Sequence, residues 1–523
     1  EPVTIRARLV SAESADMQAV LHYRADGAGE FTSLAMPKDR LYRAEIPPQG
    51  DGTVVEFYIE AADGAGHSRT WPAPSLVDGA LRQATNALYI VDDSFDQQTS
   101  HTPGAHPVYY LIMTDSERTE LDQIGDEQYS GDLFAAEPMS DAQMNATFIS
   151  VDGTGANVRY QAGVRNRGNR KRADPPMSYR VNLAGDRPWK DVRALNLNSK
   201  YPHLERMASI LFQMSGIPAA NVAPVRLKVN AGEPARSDMS RTYGFYSAVE
   251  VLDKDWAKNH FPDDDNGNLY RCTYYEDGVH ARTYADLNRK EAAGRTPDPN
   301  DYRLNYPKKT NEAADDWSDL LRLIEVLNNR NLSDEDFLTQ VSEIVNLDEW
   351  MRFLAVDALI GNREGGLTSG TGDDYALYSG VVDPRFWVVP HDMDTVLGQG
   401  DHSYEPQRDI WVYAQVSGLR RLLNHPEVTR LYYRQCRDLA RTVFAPASFD
   451  PLVDRFLADW VPDSEINSAR GIRQFVRDRV NSVLDGGYPD ADTSPQIPQS
   501  FAILGPDVVG EYPYTTRNTT ALT

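Results

Sequence analysis

Up to about residue 95 the chain reads as short strands and no helical stripe interrupts them. VTIRARLV sets Val3, Ile5, Ala7 and Leu9 on one face, and AVLHYRADG and VVEFYIEAADGAG each run into a turn signal. Short strands at this spacing, punctuated by Pro and Gly, predict a small all-β sandwich over residues 1–95. The polar stretch SFDQQTSHTPGAHP then marks a linker at 96–107 before the apolar strand VYYLIM opens a second unit.

From there the period changes twice. NVRYQAGVRNRG, SYRVNL, VAPVRLKVNAGE and YGFYSAVEVL read as strands. Among them HLERMASILFQMSG spaces Leu204, Met207, Ala208, Leu211 and Met214 as a helical stripe closed by Gly216. DDWSDLLRLIEVLNN, SDEDFLTQVSEIV and LDEWMRFLAVDALIGN continue as helices, with Ser333 as an N-cap. A strand-rich half followed by a helix-rich half predicts an α+β domain over 108–488. Residues 489–523, rich in Pro and Thr, read as a tail or the start of a further β module.

A chain of 523 residues is too long for one core. Its net charge of −24 argues against nucleic acid or an anionic membrane as main partner. No apolar run reaches the roughly 18 residues a membrane span needs. Two cysteines, Cys272 and Cys436, form no disulfide framework. Acidity with few cysteines suits a secreted or surface bacterial protein, and Glu1 reads as a mature or trimmed end.

Chemistry concentrates in two places. Asn362, Glu364, Asp373, Asp374, Asp392 and Asp394 each fall near the end of an element. If strands 374–379 and 385–390 pair, Asp374 and Asp392 meet at related ends, an oxygen-rich set that suits Mg²⁺. Ordinary turn chemistry accounts for the same residues. GVRNRGNRKR carries Arg165, Arg167, Arg170, Lys171 and Arg172, either to hold phosphate or as a solvated, salt-bridged loop. A third stretch, FPDDDNGNLYR, places Asp263, Asp265 and Asn266 like part of a Ca²⁺ loop or a polar turn. No GxSxG, HExxH, CxxC or Walker A sequence occurs.

The ordered set VRNRG, SYRVNL, LNLNSKYPHLERMASILFQMSGIPA, VRLKVN, YGFYSAVEVLDKDW, GNLYR, LDEWMRFLAVDALIGN, DYALY and PHDMD resembles the CotH-type atypical protein kinases. The first 95 residues resemble immunoglobulin or fibronectin type III-like modules. The CotH resemblance implies a protein-kinase-like fold, ATP with Mg²⁺ or Mn²⁺ (Ca²⁺ as the alternative), and phosphorylation of protein hydroxyls. By position it implies Asp392 and Asp394 as metal or catalytic carboxylates. Glu364 stands where the family has Asp, Asp374 where it has Asn, and Glu250 where it has a similarly placed acid, which implies a cofactor contact. Asn362 joins the implied metal set, with Glu364 and Asp392 as the catalytic pair. Phosphate contacts fall to Arg165, Arg167, Lys171 and Arg271, the last replacing a common Lys. Met177 stands where the family often has Lys, which predicts a missing cation. The competing expectation is a metal-stabilised surface or matrix protein that keeps the fold without its catalysis, within a larger multidomain chain or assembly. A Ca²⁺-dependent adhesin using the 263–268 loop is a third.

Overall fold

The computed structural model describes residues 1–12, 16–94, 106–124, 140–168, 172, 175–275, 283–291, 294–370, 372–401 and 404–486. Most of the expected linker, all of the expected C-terminal tail and Lys171 lie outside these residues. The last described element is a helix, Ile472–Asp485.

The N-terminal region is all strand. β1 (Val3–Ala7) pairs with β4 (Tyr42–Ile46), while β2 (Met17–Ala25), β3 (Thr32–Ala35), β5 (Val54–Asp63) and β6 (Ser68–Trp71) form a sheet in the order β3-β2-β5-β6. β7 (Ser75–Val77) and β8 (Ala80–Arg82) make a separate hairpin, and β9 (Ala87–Ile90) joins β5. The expected two full sheets of a sandwich are replaced by small ones. The cause is that β5 divides its edge: residues 54–57 pair with β9 and residues 59–62 with β6. Ile5, Leu21, Ile46, Val55 and Phe57 still share one core, so the alternation read from sequence does bury one face.

This region is not a loose bead. Val54 and Leu88 pack with Tyr110, Ile112 and Val151 of the next unit. Leu88 N donates to Thr147 Oγ1 at 3.2 Å, and Lys228 Nζ pairs with Asp92 at 2.7 Å.

That next unit is a closed barrel. Its strands are β10 (Val108–Ile112), β11 (Met144–Asp152), β12 (Gly155–Arg167), β13 (Ser178–Asn182), β14 (Ala194–Asn198), β15 (Val222–Val229) and β16 (Tyr246–Glu250). They run in the order β10-β11-β12-β13-β14-β16-β15, closed by a parallel β10–β15 pair. α1 (Asp115–Gln123) follows β10, and α2 (Pro202–Met214) leaves β14 to pack on β15 and β16. After α3 (Lys254–His260), β17 (Asn268–Cys272), β18 (Tyr375–Ser379) and β19 (Trp387–Pro390) form a three-stranded sheet.

The helix-rich half surrounds α6 (Leu347–Ile360), which is buried from Glu349 to Ile360. α4 (Ser318–Asn328) and α5 (Asp334–Ile344) precede it; α7 (Pro426–Arg441), α8 (Pro446–Phe456) and α9 (Ile472–Asp485) follow. The Ser333 side chain caps α5, as its sequence predicts. α6 ends at Gly361, whose φ of 68° is the left-handed state that closes helices. α2, α6 and the later helices share one large apolar core. No described helix is long and apolar enough to cross a membrane.

Candidate metal and phosphate site

The register of the three-stranded sheet builds the centre of the site. Tyr375 stands opposite Pro390, and Cys272 opposite Tyr375. Asp374, His391 and Arg271 therefore emerge at one end of neighbouring strands. Asp374 and Asp392 have φ of 54° and 55°, left-handed values that Asp tolerates better than most residues. One ligand atom each from Asp374, His391 and Asp392 lies within 4.8 Å of the others. The pairing of Asp374 with Asp392 follows from the expected strand pairing; His391 was not anticipated.

Around this trio the cations are already engaged. Arg271 Nη1 donates to His391 Nε2 at 2.6 Å, and its Nη2 stands 3.7 Å from Asp374 Oδ1. Because His391 Nε2 accepts, the proton of the neutral ring sits on Nδ1, 4.0 Å from Asp374. Burial, reinforced by Arg271 and Arg167, holds His391 well below its usual range and keeps it neutral. Asp394 is buried beside Lys200, with Nζ 3.6 Å away; the same Nζ reaches Asp401 at 2.8 Å.

Glu364 and Asn362 divide their work. The Asn362 side-chain oxygen accepts from the backbone N–H of Glu364 at 3.2 Å and of Gly365 at 3.1 Å, and its amide donates to Asp357. Asn362 is thus a turn-builder with its oxygen occupied, which corrects its reading as a metal ligand. The turn it builds carries Glu364 to the cavity wall, with a buried Oε2 that has no hydrogen-bond partner.

The barrel supplies the opposite wall. Ser178, Arg180 and Asn182 of β13 face a cavity of about 1100 Å³ shared with Asp374, Asp392 and Asp394. Arg165 and Arg167 also line it. Arg165 and Arg172 share Asp141 at 2.9 and 2.8 Å, and Arg167 donates to Asn198. Asn198 in turn donates to Glu205 on α2 at 2.9 Å. Burial and the charge of Asp392 push the Glu205 carboxyl up to about 7. Lys200, Lys309, Arg180 and Glu205 were missed by sequence reasoning. The period-2 alternation of SYRVNL was the one signal that could have found Arg180.

Burial and then Asp392 raise Asp374 well above the usual carboxylate range; burial, Asp392 and Glu364 do the same to Asp394, outweighing Lys200. Closely set carboxylates in this state fit a divalent cation, which relieves their repulsion. With His391 Nε2 turned to Arg271, the available donors are oxygens, the hard set preferred by Mg²⁺, Mn²⁺ or Ca²⁺. The facing guanidinium groups suit phosphate.

Residues 164–471 match the CotH kinase protein family. The chain belongs to that family. No curated protein matches the sequence. A structure titled as the Shewanella oneidensis MR-1 toxin–antitoxin system HipA, HipB and its operator DNA complex aligns at 10% identity over 76% of each chain. Its TM-score of 0.28 is too low to carry an argument.

Two features expected of a CotH kinase change on the structure. Met177 packs against the barrel core, one residue out of phase with Ser178 and Arg180. Its side chain points away from the cavity, so a Lys replaced there removes no cation from the wall. Glu250 accepts from Asn221, Asn259 and His260 at 2.7–3.1 Å and takes no part in the cavity lining. It serves as a buried junction between β16 and α3, a correction to its reading as a cofactor contact. The 263–268 loop is a turn in which Asp264 accepts from the backbone of Val381, Val382 and Asp383, capping the β18–β19 hairpin.

Proposed function

We propose that this CotH-family protein is a secreted or surface phosphotransferase that uses a divalent metal and ATP to phosphorylate protein hydroxyls. The observation that carries the reading is the single cavity in which Asp374, Asp392 and Asp394 face Arg167, Arg180 and Lys309. Phosphoryl transfer needs these two halves, carboxylates for the metal and cations for the phosphates, held in place before substrate arrives.

Asp374 and Asp392 would hold the metal, with Asp394 kept beside them by Lys200. When bound, Mg²⁺ or Mn²⁺ supplies charge neutralisation at phosphate oxygens. Arg167, Arg180 and Arg271 orient phosphate through forked donors. Glu364, with its unpartnered buried oxygen, accepts the proton of the attacking hydroxyl. The extra methylene of Glu relative to Asp lengthens that reach.

Radiolabel transfer from ATP to a mixed protein acceptor, with Mn²⁺, tests the reading. Asp392→Asn should abolish it; transfer unaffected by that change would sink the assignment.

One observation favours a second reading. Arg271 already stands 3.7 Å from Asp374 and donates to His391, so a built-in cation partly neutralises the metal trio. On this reading the chain is a metal-held surface or matrix protein that binds partners without turnover. Metal binding with no nucleotide binding would select it. The immunoglobulin- or fibronectin-like character of residues 1–95 and membership of a larger surface assembly are proposals that accompany either reading.

A further inference from the structure

The barrel wall of the cavity has one chemical character. β12, β13 and β14 alternate, sending Val164, Tyr179, Val181, Leu195 and Leu197 into the barrel core. The opposite set, Arg167, Ser178, Arg180, Asn182, Asn196 and Asn198, faces the cavity. Among the described residues that line it, apolar side chains are confined to Pro175, Pro176, Val251 and Leu252, with Tyr274 and the His391 imidazole as the aromatic rings. Small-molecule sites usually show the reverse, an apolar lining with a few placed polar groups.

Polar atoms of the cavity lining beyond the carboxylates also lack partners. Asn196 is 7% exposed, and its side-chain oxygen makes no hydrogen bond. Arg271 Nε is likewise buried and unpartnered. Burial first, then the like charges of Arg165 and Arg167, pull Arg180 below its usual range. Burial and Arg271 do the same to Lys309. These cations repel one another across the space, so an anion that enters relieves them together. A purine gains its affinity by stacking on aromatic or guanidinium planes or by filling an apolar slot. A phosphate chain gains it from forked donors.

We infer that the cavity selects its donor by the phosphate chain and not by the base, so that inorganic tripolyphosphate, ATP and GTP bind alike. The inference rests on the phosphoryl-transfer reading above and narrows it. The forked guanidinium donors Arg167 and Arg180, together with Lys309, are taken up by the phosphate charge, so the base competes with the phosphates for the stacking planes of this wall.

Calorimetric titration of the full chain with each of the three ligands, in the presence of Mn²⁺, tests this. The expected result is three dissociation constants within about tenfold of one another. ATP binding more than about tenfold tighter than both others would overturn the inference while leaving the phosphotransferase reading intact. Binding of none of the three would overturn both. Arg180→Gln, checked for folding by thermal unfolding, should weaken tripolyphosphate and ATP by the same factor. A loss confined to ATP would place the base on Arg180 and overturn the inference. The comparison of ligands on the unaltered protein stands whether or not the variant folds.

Discussion

Arg271 donates from Nη1 to His391 Nε2 at 2.6 Å, and that contact holds a positive charge beside the carboxylates a metal would occupy. Arg271→Ala removes the charge and frees the imidazole nitrogen. Mn²⁺ alone should then bind more tightly, by about tenfold, because a cation no longer competes for Asp374. ATP binding should weaken in the same variant. Titration with Mn²⁺ followed by electron paramagnetic resonance separates the two effects; weaker Mn²⁺ binding would show that Arg271 supports the metal site.

His203 on α2 is buried, and its ring donates from Nε2 to Gln399 Oε1 at 3.0 Å. Burial lowers its pKa to about 4. The folded state thus keeps His203 neutral while the unfolded chain protonates it below about 6.5. Its contribution is fully present above pH 6.5 and is lost as pH falls to about 4, a swing of about 3 kcal/mol. The rings packed around it, Tyr201, Tyr243 and Trp460, do not ionise in that window. Urea unfolding at pH 7 and pH 4.5 should show a smaller loss for His203→Gln than for the parent.

Gly361 combines a φ of 68° with a neighbour that leaves no room: an added Cβ would stand 2.6 Å from Phe475 Cζ. Gly361→Ala should cost about 1–2 kcal/mol for the left-handed backbone alone, before the overlap is relieved. The residue also launches the turn that carries Glu364. A lowered Tm with slower phosphoryl transfer is the expected pair of results; a lowered Tm with unchanged transfer would detach Glu364 from the proton-accepting role.

Leu88 is fully buried between the N-terminal strands and the barrel. Leu88→Ala should destabilise the protein by about 2–5 kcal/mol, the range for a leucine removed from a packed core. Chemical denaturation should remain a single transition if the junction makes the two units one cooperative body. Two separated transitions in the parent protein would contradict that.

Much of the frame was legible in local pattern. α2 and α6 announced themselves by a 3.6-residue stripe, and the meeting of Asp374 with Asp392 followed from two short strands forced to pair. Legibility failed where partners come from distant segments. Lys200 follows β14, Lys309 precedes α4, and neither carries a signal that it turns toward Asp394 or Arg271. Asn362 and Glu250 failed differently. Both are polar residues near the right ends, yet their oxygens are taken by backbone, amide or imidazole donors that only the folded chain supplies. The barrel closes by pairing β10 with β15, more than 100 residues apart, and no local period encodes that contact.

The loop that bears Asp392 and Asp394 is fastened on both sides. Leu397 N donates to Ile360 O of α6 at 2.6 Å and Gln399 Nε2 donates to Glu465 O at 2.8 Å on the helical side, while Lys200, which follows β14 of the barrel, holds Asp401 at 2.8 Å. The carboxylates therefore belong mechanically to neither half. Any shear of the barrel against the helices loads the fastenings at 397–401, so it is transmitted first to the segment that directly follows the two aspartates.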